Sequence, residues 1–248
     1  MKKVLLAGML AAAFCDASAF AADLPPVPAP AGWTGCYIGA NTGYAWAHKD
    51  STRTAQGPTV AGLVPVNFYL GTTNVDGWSY GGQIGCDYQI TGNLVAGIRG
   101  MWDGANMTGA NVHPANINSN NSSHFKIDSF GTVVGKLGFL PIPTVEVYGL
   151  AGAAWVHDDL RYFDTVVGQF AAGNQTRSGY DLGAGVSWMF APNWDLWAEY
   201  DHMDFGTKTL RISGAGVYDN RVKQNLDKVL VGVEYRFSFG NPPVVAKY

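Results

Sequence analysis

Between Val229 and Phe239 the chain alternates without a break, and no other stretch restricts the fold as tightly. Val229, Val231, Val233, Tyr235, Phe237 and Phe239 share one side, while Leu230, Gly232, Glu234, Arg236 and Ser238 share the other. A period of two is that of a β-strand, and about ten residues suit a tilted strand that crosses a bilayer. If it does so, the ionic side is the interior, because Glu234 and Arg236 face hydrocarbon only at high cost. A half-buried strand of a soluble sheet would show the same alternation with its charges in water. The rest of the chain has to separate the two readings.

Composition narrows the field. Apolar residues make up 47% of the chain and charged residues only 14%, which excludes a disordered protein. The net charge of −3 argues against a nucleic-acid partner, which calls for a basic footprint. Glycine, at 32 residues, with 13% aromatics suits many closely packed strands. Beyond the N-terminus there is no apolar run long enough for a membrane helix, so a spanning chain of this kind would be a barrel.

The N-terminus reads as an export signal over residues 1–21. Lys2 and Lys3 precede the apolar run Val4 to Phe14, and Ala19-Phe20-Ala21 forms an A-x-A cleavage site. Cys15 fits a lipidation site poorly, with Phe14 before it and Asp16 after it. Pro25, Pro26, Pro28 and Pro30 mark residues 22–32 as an extended periplasmic tether. Residues 33–240 are expected to form the barrel and 241–248 a short periplasmic tail.

Eight strand-like segments follow: Cys36 to Ala47, Trp78 to Ile90, Leu94 to Gly104, Phe125 to Phe139, Thr144 to Val156, Gly179 to Phe190, Trp194 to Phe205 and Lys228 to Phe239. Short turns at Thr91-Gly92-Asn93, Leu140 to Pro143 and Ala191-Pro192-Asn193 alternate with long polar links near His48 to Gly77, Ala105 to His124, His157 to Ser178 and Gly206 to Asp227. Such alternation places the tight turns at one end and the long loops at the other. The expected fold is therefore all-β: an eight-stranded antiparallel up-and-down transmembrane barrel, closed by its first and last strands.

Facing supports this layout. Apart from Asp204, which lies at the edge of its segment and belongs to the following loop in this layout, each segment has one parity free of charge, and the charges fall on the other: Asp87, Arg99, Asp103, Lys126, Asp128, Lys136, Glu146, Asp181, Asp195, Glu199, Asp201, Lys228, Glu234 and Arg236. On the uncharged faces Trp46, Trp102, Trp155 and Tyr180 lie toward the long-loop ends, and Tyr88, Trp188, Trp194 and Phe239 toward the turn ends. Two aromatic belts around a small apolar middle mark the two interfaces of a membrane. A soluble ligand-binding barrel would reverse the faces. The expected interior is a network of ion pairs, with Arg99, Lys126, Lys136 and Arg236 opposed by Glu146, Glu199 and Glu234, since an eight-stranded lumen is filled by its own side chains. A narrow diffusion channel through the same lumen is the alternative, and a secreted soluble carrier the third.

The segment Trp33-Thr34-Gly35-Cys36-Tyr37-Ile38-Gly39-Ala40-Asn41-Thr42-Gly43-Tyr44-Ala45-Trp46 resembles the opening strand of the small outer-membrane immunogenic proteins, which share the OmpA-like eight-stranded barrel. Gly81-Gly82-Gln83-Ile84-Gly85 and Val231-Gly232-Val233-Glu234-Tyr235-Arg236-Phe237 are similar to that family as well. The resemblance runs from about Trp33 through essentially all of the mature chain. It implies an integral outer-membrane protein, with outer-membrane lipids and the outer-membrane assembly machinery as partners, host or environmental ligands met by the long loops, a structural envelope role and no catalytic residues to carry over. Members commonly have an aromatic where Cys36 and Cys86 stand, and many end on the last strand's aromatic, whereas here Asn241 to Tyr248 follow.

Catalysis and cofactors find little to build on. His48, His113, His124 and His157 fall in the expected loops and His202 near a strand end, without metal-binding spacing. Asp201, His202 and Asp204 invite comparison with an outer-membrane protease, but no partner set completes them. No cofactor is expected. Cys36 and Cys86 fall on the lipid side of the turn-end belt, where the periplasm can oxidise them to a disulfide or leave two free apolar thiols.

Overall fold

The computed structural model describes residues 32–56, 67–112, 121–164, 168–214 and 217–237. Eight strands run in order: β1 (Gly35–Gln56), β2 (Phe68–Gln89), β3 (Leu94–Val112), β4 (Asn121–Ile142), β5 (Val145–Asp164), β6 (Gly168–Ala191), β7 (Trp194–Gly214) and β8 (Val217–Phe237). Each pairs antiparallel with its neighbour, and β1 pairs with β8, so the sheet closes on itself. Closure removes the sheet edges that an open sheet would expose.

Alternation sets the two faces. Ile84, Ile98, Leu137, Val147, Leu182, Leu196 and Val231 point outward and are exposed, whereas Glu146, Asp195, Lys228 and Arg236 are fully buried inside. Grease outward and charge inward suits hydrocarbon surroundings. Ile98 is 58% exposed and sits midway along β3 between the turn end and Trp102. Ile98→Arg is expected to destabilise the inserted barrel by about 2–4 kcal/mol, the range for a cation at the bilayer midplane. The comparison is made by urea titration in vesicles against the parent.

The strands are much longer than alternation in the apolar segments foretells. β1 has 22 residues, and at about 3.3 Å per residue and a tilt of about 40° it rises roughly 55 Å, about twice the apolar band of about 25 Å. Much of what composition marks as polar loop is strand: His48 lies in β1, His124 in β4 and His157 in β5. Polar residues extend the sheet there because neighbouring strands of the closed barrel supply backbone partners along most of its length, whatever the side chains prefer.

One strand changes faces along its length. Pairing of β4 with β5 slips between Ile127 and Ser129, which leaves Asp128 as an extra residue. Below this bulge the even residues from Phe130 to Leu140 point inward, and above it the odd residues Ser123, Phe125 and Ile127 do so. The bulge corrects one expectation. Lys126 is exposed and pairs with Asp128 on its own strand, outside the interior network.

Candidate functional site

The interior of the barrel is built in layers. At the turn end Trp33, Val95, Leu140 and Met189 form an apolar cap. Trp33 also donates its indole N–H to the Pro143 carbonyl at 2.9 Å, which ties the segment before β1 to the β4–β5 turn. Above the cap sits Arg236, with its guanidinium 3.0 Å from Asp87, 3.1 Å from Asp195 and 3.4 Å from Glu234. Its Nη1 donates to the Trp33 carbonyl at 3.1 Å, and the group lies over the Trp33 and Tyr37 rings. Lys136 shares Asp87, at 2.7 Å, and reaches Glu146 at 3.0 Å.

One layer further out, Arg99 grips Glu199 through Nη1 and Nη2, at 2.7 and 2.5 Å, a bidentate fork. The Tyr148 hydroxyl donates to the same carboxylate at 2.8 Å, and Gln83 donates to Glu234 at 2.7 Å. Lys228 then faces Asp201 at 3.2 Å and Asp103 at 3.9 Å, with its ammonium over the Phe130 ring. These groups fit because glycines open the wall beside them. A Cβ on Gly97 would lie 1.9 Å from Asp87 Oδ1, and one on Gly183 would lie 2.0 Å from Asp201 Oδ1. Carboxylates lie flat across neighbouring strands where any other residue would push them off.

Of the expected interior set, the structure brings together Arg99, Lys136, Glu146, Glu199, Glu234 and Arg236. It adds Asp87, Asp103, Asp195, Asp201 and Lys228, which alternation had placed on the same face. An apolar layer inside the barrel was not foreseen. Ala45, Val75, Met107, Phe125, Ile127, Phe130, Leu160, Met203, Phe205 and Leu226 form one buried cluster above the ionic layers. Beyond it Asp158 accepts from Lys49 at 2.7 Å and Gln224 at 3.2 Å, and pairs with Arg177 at 3.3 Å. The signal for this outer brace was present: the inward parity of β1 and β5, carried past Ala47 and Val156, reaches Lys49 and Asp158.

Little open space remains between these side chains. Among the ionic layers, the space bounded by Tyr37, Gln83, Arg99, Lys136, Tyr148, Ser187, Trp197 and Glu234 is about 10 Å³, the room of about one water molecule. Buried pairs of this kind add little net stability over apolar packing, yet removing one partner is expensive.

On the outer face, Tyr88, Trp188 and Trp194 lie at the turn end, and Trp102, Trp155 and Tyr180 toward the far end, all exposed. Trp46 is half-buried against Tyr200, with ring centroids 6.5 Å apart. Phe239 lies outside the described residues, as do His113, residues 1–31 and the tail. Cys36 and Cys86 are direct cross-strand partners, and their sulfurs are bonded in the structure. Asp201 points inward while His202 and Asp204 lie partly exposed on the other face, and His202 Nδ1 sits 2.7 Å from Asp227. Among the described residues, no group of three or more His, Cys, Asp or Glu is arranged to hold a metal ion.

Comparison with known proteins gives matches along most of the chain. A family model described as outer membrane protein beta-barrel domain matches residues 7–237. The 31 kDa outer-membrane immunogenic protein of Brucella melitensis is 30% identical over 252 residues, covering 96% of this chain and all of the relative. An uncharacterized protein of Coxiella burnetii is 26% identical, covering 95% of this chain and 97% of its own. Among solved structures, the outer membrane protein OprG of Pseudomonas aeruginosa superposes with a TM-score of 0.48 at 12% identity, over 84% of this chain and all of that one.

Proposed function

The chain belongs to the outer membrane protein beta-barrel domain family, and from that premise we propose that its barrel is a closed structural element of the envelope whose far rim makes contacts at the cell surface. It is an outer-membrane β-barrel protein, and its immediate surroundings are membrane lipids. The observation that carries the structural role is the filled interior, in which ion pairs, a buried apolar layer and the Asp158 brace occupy successive levels. In this reading residues 1–21 are the export signal, 22–32 the periplasmic tether, 33–240 the barrel and 241–248 a periplasmic tail. The assembly machinery inserts the barrel, and its rim meets host or environmental ligands. The interior carboxylates and cations serve as packing, and no reaction is assigned to them.

Recording in a planar bilayer tests the closed interior. The refolded protein is expected to give no stable conductance step above the leak of the membrane. Regular, large steps would replace this reading with that of a diffusion channel.

A further inference from the structure

Two hollows lie one above the other on the outer face of the barrel, and both reach across β3 and β4. The lower one is in the lipid band. Outward positions there run Ile84, Gly100 and Val133 in one cross-strand row and Gly82, Trp102, Gly131 and Trp155 in the next. The Trp102 ring lies across Gly131, where a Cβ would come within 2.6 Å of it, whereas a Cβ on Gly100 would meet nothing nearer than 4.0 Å. The result is an apolar groove of about 560 Å³ over Gly82 and Gly100, walled by Ile38, Ile84, Trp102 and Val133.

The upper hollow begins past the aromatic belt. Thr108, Lys126 and Asp159 form one cross-strand row, and Ala110, His124 and Arg161 the next. Asp159 follows Trp155 on β5 by four residues, which at about 3.3 Å per residue and a tilt of about 40° sets it roughly 10 Å further out than the belt. Thr108 and Ala110 are short, and a pocket of about 410 Å³ opens over them, of the size that small molecules occupy. Phe163 bounds it, with the His124 ring edge-on at 4.9 Å between centroids. His124 Nε2 is 3.2 Å from Ser122 Oγ. The charges balance: Lys126 is paired with Asp128, and Arg161 stands beside Asp159 on the same face of β5. Gly104 and Ser129, paired and small, lie between the two hollows.

We propose that the two hollows form one site for a sugar-headed lipid of the surrounding leaflet, with an acyl chain in the groove and the sugar in the pocket. Balanced charges give an anionic head group no net attraction. Sugar hydroxyls both donate and accept, and so match a guanidinium, a carboxylate and an imidazole set side by side. The rings of Phe163 and His124 offer apolar surface to the C–H faces of the same sugar. A soluble glycan would use the pocket alone, and a phospholipid the groove alone. A single molecule with a hydrocarbon part and a hydroxyl-rich part fills both, and the pocket opens sideways at the depth where head groups lie. The proposal rests on the reading of the far rim as the cell-surface side and names one lipid among the surroundings of the barrel.

The test uses the full barrel folded in phosphatidylcholine vesicles, its folding checked by the shift in gel migration on boiling. The vesicles carry a dihexosyl diacylglycerol or, in a parallel set, phosphatidylglycerol with the same acyl chains. The barrel is released in mild detergent, and native mass spectrometry counts the lipid that stays bound. The glycolipid is expected to be retained and the phosphatidylglycerol not. Retention should fall about tenfold in His124→Ala/Arg161→Ala, the size of one lost hydrogen bond to a charged group. It should fall as far in Gly100→Leu, which fills the groove from a position with room for the side chain. Gly149→Leu adds the same side chain to the lipid face outside the groove and should retain the glycolipid like the parent. Equal retention of phosphatidylglycerol, or retention unchanged in Gly100→Leu or in the head-pocket variant, would overturn the site. Loss in Gly149→Leu equal to that in Gly100→Leu would overturn it too, and so would displacement by the free disaccharide, which would make the ligand a soluble glycan. A barrel that passes the boiling test and retains no glycolipid would overturn the site and leave the envelope role standing.

Discussion

Arg236→Ala is expected to lower the stability of the folded barrel by about 3–5 kcal/mol, the range for removing one partner from a buried ionic cluster. The loss is large because the guanidinium serves Asp87, Asp195 and Glu234 together and also donates to the Trp33 carbonyl. Alanine would leave those carboxylates beside Lys136 as their remaining close cation, and Lys136 is already bound to Glu146. Urea titration in vesicles reads the change, with the midpoint moving to lower denaturant at unchanged slope. Adding Asp195→Asn to Arg236→Ala should recover part of the loss, since it removes one of the stranded charges. A midpoint within experimental error of the parent would mean that the cluster is hydrated and that the interior is not closely packed.

Opening the Cys36–Cys86 bond is the second large effect. The cysteines are separated by 50 positions, and on the chain-entropy account a loop of that size contributes about 4 kcal/mol. The double variant Cys36→Ser/Cys86→Ser should unfold at correspondingly lower urea, and it should match the parent after reduction. Alkylation of the mature protein without reductant is expected to add no label at these two positions. Label at both would mean that the thiols are free, and the entropic contribution would then vanish.

The barrel was legible where the alternation carried both signals at once. In β8 and β3, Glu234, Arg236 and Arg99 stand between apolar neighbours, and a period of two admits only one facing in a bilayer. Strand lengths were not legible. His48, His157 and their neighbours are polar on both parities, so nothing local separates a hydrogen-bonded wall beyond the lipid from a loop; tertiary closure decides. Lys126 was misplaced for a different reason: the extra residue at Asp128 shifts the phase of β4, and a bulge of this kind leaves no mark in composition. The apolar interior layer was hidden for a related reason. Phe125 and Ile127 share the phase that faces lipid below the bulge, so alternation alone assigned them outward. Which acid meets which base could not be read either, because Arg99 meets Glu199 across the lumen and Arg236 reaches Asp87 over the intervening β1, contacts set by closure and strand tilt.

Across β3, β4 and β5 the rim that stands clear of the lipid is hydrogen-bonded sheet, so neighbours on its outer surface come from different strands. Thr108, Lys126 and Asp159 lie side by side there, although long stretches of chain separate them. An antibody or receptor that reads this surface reads a mosaic assembled by folding, and recognition of it should vanish on boiling, while binding to linear peptides from the same strands would be unaffected.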